Sequence, residues 1–338
     1  MHRILIPDAV HVEPPLESDL AAPDCAVEMH QWAPGVESVI PDSAWKGCDA
    51  LVLFEKLQID EAIAAKLERC RIIVRAGVGF DNVDLKGWGA RGIPVCNTPD
   101  YGTRDVADQA IAHLLALVRG ITHHDHRLRL DPIGEWQFST PPLMRRLWDQ
   151  AYGVVGLGRI GMTAAMRAKA FGMKVSFYDP YLPSGAELPL GLGRAETLED
   201  LMRSSDILSL HVPLNPESHN MINRTTLAFA KPDLILINTA RGPVVNIDDL
   251  YEALREGRIA GAALDVLPIE PPELDHPLIK AWRNREPWLD GRLHLTPHSA
   301  FFSPSSIIDL RTKAIVTALN FLRSGKIRNC VNRRYLAS

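Results

Sequence analysis

Short apolar runs alternate with helix-like periods along most of this chain. Arg3–Ile6, Ala50–Leu53, Ile72–Val74 and Pro94–Cys96 read as strands, and Asp60–Leu67 as an intervening helix. A longer alternation follows, with strand candidates at Tyr152–Val155, Lys174–Tyr178, Ile207–His211, Leu234–Asn238, Ala262–Val266 and Leu293–Thr296. Helical patterns lie between them. Strands that are apolar on both faces must be covered on both sides, so the pattern predicts an α/β chain of parallel sheets flanked by helices. The second alternation has the rhythm of a doubly wound sheet.

Two helices stand apart from that rhythm. Arg104–Arg119 has Thr103 to cap it, Asp105 at its positive end and Arg119 at its negative end. Ile111, Leu114, Leu115, Leu117 and Val118 cover most of its surface, which predicts burial as a packing element, at a subunit interface. The last helix opens at Ser303-Pro304 and stops before Gly325. It follows the second sheet, so the chain is expected to return to its first domain. The length of 338 residues suits two domains. The expected division is 1–98 with 300–338 for one and 99–299 for the other.

Composition narrows the function classes. A formal net charge of -4 gives no basic footprint for nucleic acid. The opening Met1-His2-Arg3-Ile4-Leu5-Ile6-Pro7-Asp8 is too short an apolar run for a signal peptide, and no apolar stretch is long enough to span a bilayer. Cys25, Cys48, Cys70, Cys96 and Cys330 are scattered, without a Cys-x-x-Cys pair, and read as reduced thiols of a cytoplasmic protein.

The segment Gly156-Leu157-Gly158-Arg159-Ile160-Gly161 carries the first chemistry. Alone it is a weak motif. Here a strand candidate precedes it, a helical pattern to Phe171 follows, and the next strand ends in Asp179. Gly156 allows the tight turn, Gly158 the approach of a pyrophosphate, and Gly161 close packing of helix on strand. Arg159 and Ile160 open a helix whose free N–H groups and dipole suit phosphates. Asp179 is placed to accept from ribose hydroxyls and to repel a 2′-phosphate, which favours NAD over NADP. The same loop could be only a glycine-rich structural turn, but the flanking pattern argues against it.

Further residues stand at the carboxyl ends of later strand candidates, where open α/β sheets bind ligands. They are Arg241, Glu270 in a proline-rich loop, and His298. Reduction of a 2-oxo acid needs a cation for the carboxylate and carbonyl, a proton donor, and a group that tunes that donor. Arg241, His298 and Glu270 supply these in turn. Each alone has a bland alternative as a surface ion pair, a structural histidine or a solvated carboxylate.

The chain resembles the D-isomer-specific 2-hydroxyacid dehydrogenases. The resemblance rests on the glycine loop and on Val74-Arg75-Ala76-Gly77-Val78-Gly79-Phe80-Asp81-Asn82-Val83-Asp84, Cys96-Asn97-Thr98-Pro99, Asn238-Thr239-Ala240-Arg241-Gly242, Ala263-Leu264-Asp265-Val266 and Thr296-Pro297-His298-Ser299-Ala300. Phe177-Tyr178-Asp179-Pro180-Tyr181-Leu182 and Arg328-Asn329-Cys330-Val331-Asn332 are most similar to the branch containing the C-terminal-binding proteins. The resemblance implies a Rossmann-type doubly wound parallel sheet plus a smaller flavodoxin-like α/β substrate domain, closing on NAD as a homodimer. It implies Arg241, Glu270 and His298 as catalytic residues. Arg75 and the backbone around Gly77, Val78 and Gly79 would hold the substrate carboxylate. Val212 and Pro213 would line the adenine pocket, Asp265 would meet the nicotinamide carboxamide, and Thr239 joins the cofactor set. A competing reading is an NAD-sensing dimeric, corepressor-like protein-binding module.

Two features depart from the resembling branch. Phe301 replaces a tryptophan and would touch the substrate side chain. Ala281–Arg292 lengthens the interval between Glu270 and His298 and reads as a surface-loop insertion. His123, His124, Asp125 and His126 suggest a metal cluster, but no further ligand is evident and no metal is expected. Tyr101, Trp136 and Trp148 read as packing residues.

Overall fold

A computed structural model describes residues 1–10, 12 and 15–336. The chain divides into two compact units, Met1–Gly102 with Phe302–Ser338, and Thr103–Phe301.

The first unit holds β1 (His2–Ala9), β2 (Cys25–Gln31), β3 (Ala50–Leu53), β4 (Ile72–Arg75) and β5 (Val95–Asn97). They form a parallel sheet in the order β2-β1-β3-β4-β5. That is the flavodoxin-like order. Trp45, Leu51, Leu53, Ile73 and Val95 fill the core on one side. The predicted strands match β1 and β3–β5 within a few residues. The edge strand β2 escapes the pattern because most of its side chains are half-buried or exposed, which blurs the apolar signal.

The helix Pro304–Ser324 packs on β3 and β4 of this unit. Its ends are chemical: Ser303 Oγ accepts from Ser306 N–H, and Gly325 closes it at φ +70°. From its middle, Arg311 Nε and Nη2 donate to the Glu17 carboxylate at 2.7 and 2.6 Å. Both side chains are buried.

The second unit holds β6 (Ala151–Val155), β7 (Lys174–Tyr178), β8 (Gly193–Arg194), β9 (Ile207–Leu210), β10 (Ile235–Asn238), β11 (Gly261–Leu264) and β12 (Leu293–Leu295). Their order, β12-β11-β10-β9-β6-β7-β8, is that of a Rossmann-type doubly wound sheet. The chain reverses direction across the sheet between β6 and β9, which pair directly. Successive residues alternate between two cores. Val155, Leu208, Leu210 and Leu236 face one, and Tyr152, Val154, Ile207 and Ile237 face the other.

Two expectations need correction, and a third needs sharpening. Thr103 is the first residue of the helix Thr103–Arg119 rather than its cap. Trp136 and Trp148 are not packed inside: they are 79% and 67% exposed. Ala281–Arg292 is surface turn over residues 284–292, as expected, but it is anchored rather than loose. Ala281 ends up inside the helix Pro277–Arg283, and Ala281 and Leu289 are core residues. The Arg292 guanidinium donates to the carbonyls of Leu254, Ile259, Ala260 and Trp288, so the segment is tied down at both ends. Charged residues made it look exposed, but the apolar minority decides its packing. No described helix is long and apolar enough to cross a membrane.

Candidate active site

The glycine loop leaves β6 at the point where the strand order reverses. Gly156 has φ +87°, and a Cβ there would lie 2.8 Å from Val212 Cγ1 and 2.9 Å from the His211 carbonyl oxygen. At Gly161 a Cβ would meet the Gly156 carbonyl oxygen at 2.0 Å. Both positions therefore need glycine for close packing. Gly158 is different: a Cβ there would meet nothing within 4 Å. The space above it is open, as a pyrophosphate's approach requires. Gly158 is also the N-cap of the helix Arg159–Ala170, with no side chain capping that end. Its first N–H groups are thus left without a side-chain cap, as an anion site requires.

Asp179 stands at the end of β7 beside this loop. Its Oδ2 accepts from Leu157 N–H at 3.0 Å and its Oδ1 from Tyr181 N–H at 3.0 Å. The acid therefore anchors the loop, and each oxygen retains capacity for a further donor. Val212 is half-buried against Gly156, and Pro213 is exposed with its carbonyl held by Ser218 Oγ at 2.6 Å. Beyond β10, the Thr239 hydroxyl is buried without a hydrogen-bond partner among the described residues. An unsatisfied buried hydroxyl costs stability unless a ligand completes it. Open space over Gly158, uncapped helix N–H groups and the Thr239 hydroxyl all fit a dinucleotide. His211, which the sequence reading passed over, lies in the wall of this site after β9. Ser209 Oγ is 2.9 Å from its Nε2, and burial pushes the ring down to about 4, so it is neutral.

The three candidate catalytic residues lie on loops after β10, β11 and β12. Asn238 locks the first loop: its Oδ1 accepts from Ala240 N–H and its Nδ2 donates to the Arg241 carbonyl, at 3.0 and 2.9 Å. Arg241 is half-buried, with Nη1 donating to the Ala240 carbonyl at 2.8 Å. Gly242 follows, and a Cβ there would collide with the Leu267 backbone at 2.0 Å. The absence of that Cβ lets the Arg241 loop lie against the loop that leads to Glu270.

Glu270 bridges two loops. Its Oε1 accepts from Leu267 N–H at 2.8 Å, and its Oε2 lies 2.7 Å from His298 Nδ1. Burial pushes the carboxyl up, but the hydrogen bond and charge of His298 outweigh it, helped by the Leu267 N–H and Arg241. The net result is a carboxyl below its ordinary value of 4.5. His298 adopts φ +52°, a left-handed conformation that costs a non-glycine residue energy and persists only when surroundings impose it. Its N–H donates to the Asp265 carbonyl at 2.8 Å. Phe301 sits edge-on to the His298 ring, centroids 6.2 Å apart.

Asp265 emerges with a larger structural part than the sequence suggested. It is 2% exposed. Its Oδ1 accepts from Thr296 Oγ1 and Ser299 N–H at 2.5 and 3.0 Å, and its Oδ2 from Ala300 N–H at 2.9 Å. It is the clasp of the loop that carries His298.

In the first unit, Gly77 (φ +157°) accommodates the Arg75 side chain: a Cβ on Gly77 would fall 1.1 Å from Arg75 Nη1. Arg75 is largely buried, with Nη1 donating to the Ala76 carbonyl at 2.8 Å. The Gly77 N–H donates to Thr98 Oγ1 at 2.6 Å, and Asn97 Nδ2 donates to the Val78 carbonyl at 2.7 Å. With the Gly77 N–H committed to Thr98, the backbone N–H groups beyond it are the ones left for a ligand. Asn97 and Thr98 hold this loop in shape, a role visible only in three dimensions. Among the described residues, no three histidine, cysteine or acidic side chains converge on one point. His123 Nδ1 instead lies 3.5 Å from Asp290.

Comparison with known proteins places these features. Residues 111–300 match the family described as D-isomer specific 2-hydroxyacid dehydrogenase, NAD binding domain. The chain is 37% identical over 312 residues to the glyoxylate reductase of Korarchaeum cryptofilum (strain OPF8), covering 90% of each chain. It superimposes on D-lactate dehydrogenase from Aquifex aeolicus, solved with NAD and lactic acid, with a TM-score of 0.80 and 28% identity. That match covers 95% of this chain and 96% of the other. The NADPH-dependent glyoxylate/hydroxypyruvate reductase of Sinorhizobium meliloti, solved with NADP and malonate, gives a TM-score of 0.82 and 26% identity, covering 98% and 96%. Of the two solved relatives one holds NAD and the other NADP, and the matches do not favour the corepressor-like reading.

Proposed function

Because this chain belongs to the D-isomer-specific 2-hydroxyacid dehydrogenase family, we propose that it interconverts a small 2-oxo acid and the D-2-hydroxy acid with NAD(H) as the preferred cofactor. The observation that carries this reading is the 2.7 Å contact between Glu270 Oε2 and His298 Nδ1, on a loop beside Arg241. Glu270 engages Nδ1, so proton exchange with substrate falls to Nε2 of His298. Arg241 supplies the planar cation for the carboxylate and carbonyl. As negative charge develops on the substrate oxygen, His298 donates its proton there; in the oxidative direction it takes one. The nicotinamide supplies the hydride when bound. Gly156, Gly158, Arg159, Ile160, Gly161, Val212, Pro213, Thr239 and Asp265 form the proposed cofactor set. Asp179 favours NAD, because its charge opposes a 2′-phosphate. Arg75, Val78, Gly79 and Phe301 are proposed for substrate.

We place the enzyme in the cytoplasm, where its five unpaired cysteines would stay reduced. We also propose a homodimer formed through the second unit. Ile133, Trp136 and Phe138 are highly exposed there. The same unit has a cavity of about 630 Å³ whose lining includes Ala112, Ala116, Trp282 and Leu289. Exposed large apolar side chains such as Ile133, Trp136 and Phe138 are a mark of association surfaces.

The decisive assay supplies purified protein with a panel of 2-oxo acids and either NADH or NADPH. NADH should be consumed, faster than NADPH, and His298→Ala should lower turnover roughly a hundred- to ten-thousand-fold. Undiminished turnover in His298→Ala would overturn the mechanism.

A further inference from the structure

The hydrogen bonds behind Asp265 do not stop at the clasp. The Thr296 hydroxyl has one proton, and Asp265 Oδ1, 2.5 Å away, takes it. Its oxygen can therefore only accept from the other side. There His113 Nε2 lies 3.1 Å away and Gln109 Nε2 3.4 Å away. His113 projects from the helix Thr103–Arg119 and is 3% exposed. Its neighbours on that helix's buried face are apolar, and an imidazole costs more to bury than a leucine would. Burial, its largest influence, lowers its pKa against the weaker pull of Asp265, so the ring stays neutral and carries one N–H.

We propose that His113 is a positioning residue for the active site: by donating Nε2–H to Thr296 it orients a hydrogen-bond chain, His113 to Thr296 to Asp265, that holds the loop bearing His298 at its strained angle. The inference rests on the reading of His298 as the proton donor. With Nε2 as the protonated nitrogen, and Gln109 Nε2 3.4 Å from it serving Thr296 instead, the chain runs from a neutral donor to a carboxylate, so each bond polarises the next. Without His113, the Thr296 hydroxyl keeps only Gln109, at 3.4 Å, as a donor, and can rotate away from Asp265. The Asp265 carboxylate would then grip the loop through Ser299 and Ala300 alone. The charged or titratable groups facing His113 are Asp265, through Thr296, and His294 of β12. Burial and the proximity of His113 push His294 down to about 4, so it too is neutral.

The test compares His113→Leu, His113→Gln, Thr296→Val and the His113→Leu/Thr296→Val double variant. It reads kcat, KM, the pH midpoint of turnover, and the NMR titration of the His298 ring in cofactor-free protein. His113→Leu should lower kcat about fivefold, the factor that one ordinary hydrogen bond supports. It should leave KM for the 2-oxo acid within about twofold and move the His298 titration down. His113→Gln, which keeps an N–H donor, should restore both. The double variant should be no worse than Thr296→Val, since both changes break one chain. Unchanged kcat and an unmoved His298 titration in His113→Leu would overturn the proposal. So would a loss that His113→Gln fails to rescue and that merely tracks a lower Tm. The two readings fail separately: full turnover in His298→Ala removes His298 as donor, whereas the ring titration still decides whether His113 positions the loop.

Discussion

Glu270 shows how much of this site depends on single contacts. Its carboxyl lies below its ordinary 4.5, so the ion pair with His298 survives as pH falls and is lost only once the pH passes beneath that range. Reductive turnover should therefore hold its plateau through mild acid and decline only once the pH is beneath the ordinary carboxyl value. Glu270→Gln should cut turnover about 100-fold, because a neutral amide orients the ring less firmly and does not support the imidazolium. The same substitution should erase the wild-type acid limb; an acid limb that survives in the variant would assign it to another group. Arg241, Glu270 and His298 were legible in the sequence because each follows an apolar strand at the sheet's ligand-binding edge. Asn97, Thr98, His113 and His211 were not, because their importance lies in partners far away in the chain.

At the level of elements, helix ends and tight turns were the most readable features, since their chemistry is local. Ser303 and Gly325 bracket the last helix as expected. Its middle carries the buried Arg311–Glu17 pair, whose members are separated by 294 positions. Arg311→Met should destabilise the protein by about 3–5 kcal/mol, because it strands the Glu17 carboxylate without water or partner. Changing both residues to apolar side chains of similar volume should recover most of that loss. Denaturant titration of the wild type, Arg311→Met and the double variant checks this: equal stability of the single and double variants would show that the pairing itself is not the cause. The segment Ala281–Arg292 carries the opposite lesson. Its charge density hid the packing of Ala281 and Leu289 and the four carbonyl contacts of Arg292.

On the scale of the whole molecule, the proposed dimer is the property that a single chain leaves to experiment. Light scattering should give twice the chain mass. A Trp136→Ser/Phe138→Ser variant should shift it toward the monomer, because these side chains are among the most exposed apolar groups of the chain. A wild-type protein that remains monomeric with NAD bound would remove the dimer from the account.

The sequence by itself determined the α/β class, the doubly wound rhythm, the glycine loop and the three residues proposed for catalysis. These follow from periodicity and from short-range geometry, where one residue's neighbours along the chain dictate what it must do. Only the tertiary structure decided how Asp265 spends its carboxylate, why His298 tolerates a left-handed backbone, and that His113 stands behind both. Hydrogen-bond partners such as Asp265, Thr296 and His113 meet only after helices and strands pack, and no local pattern encodes which polar group a buried hydroxyl will face.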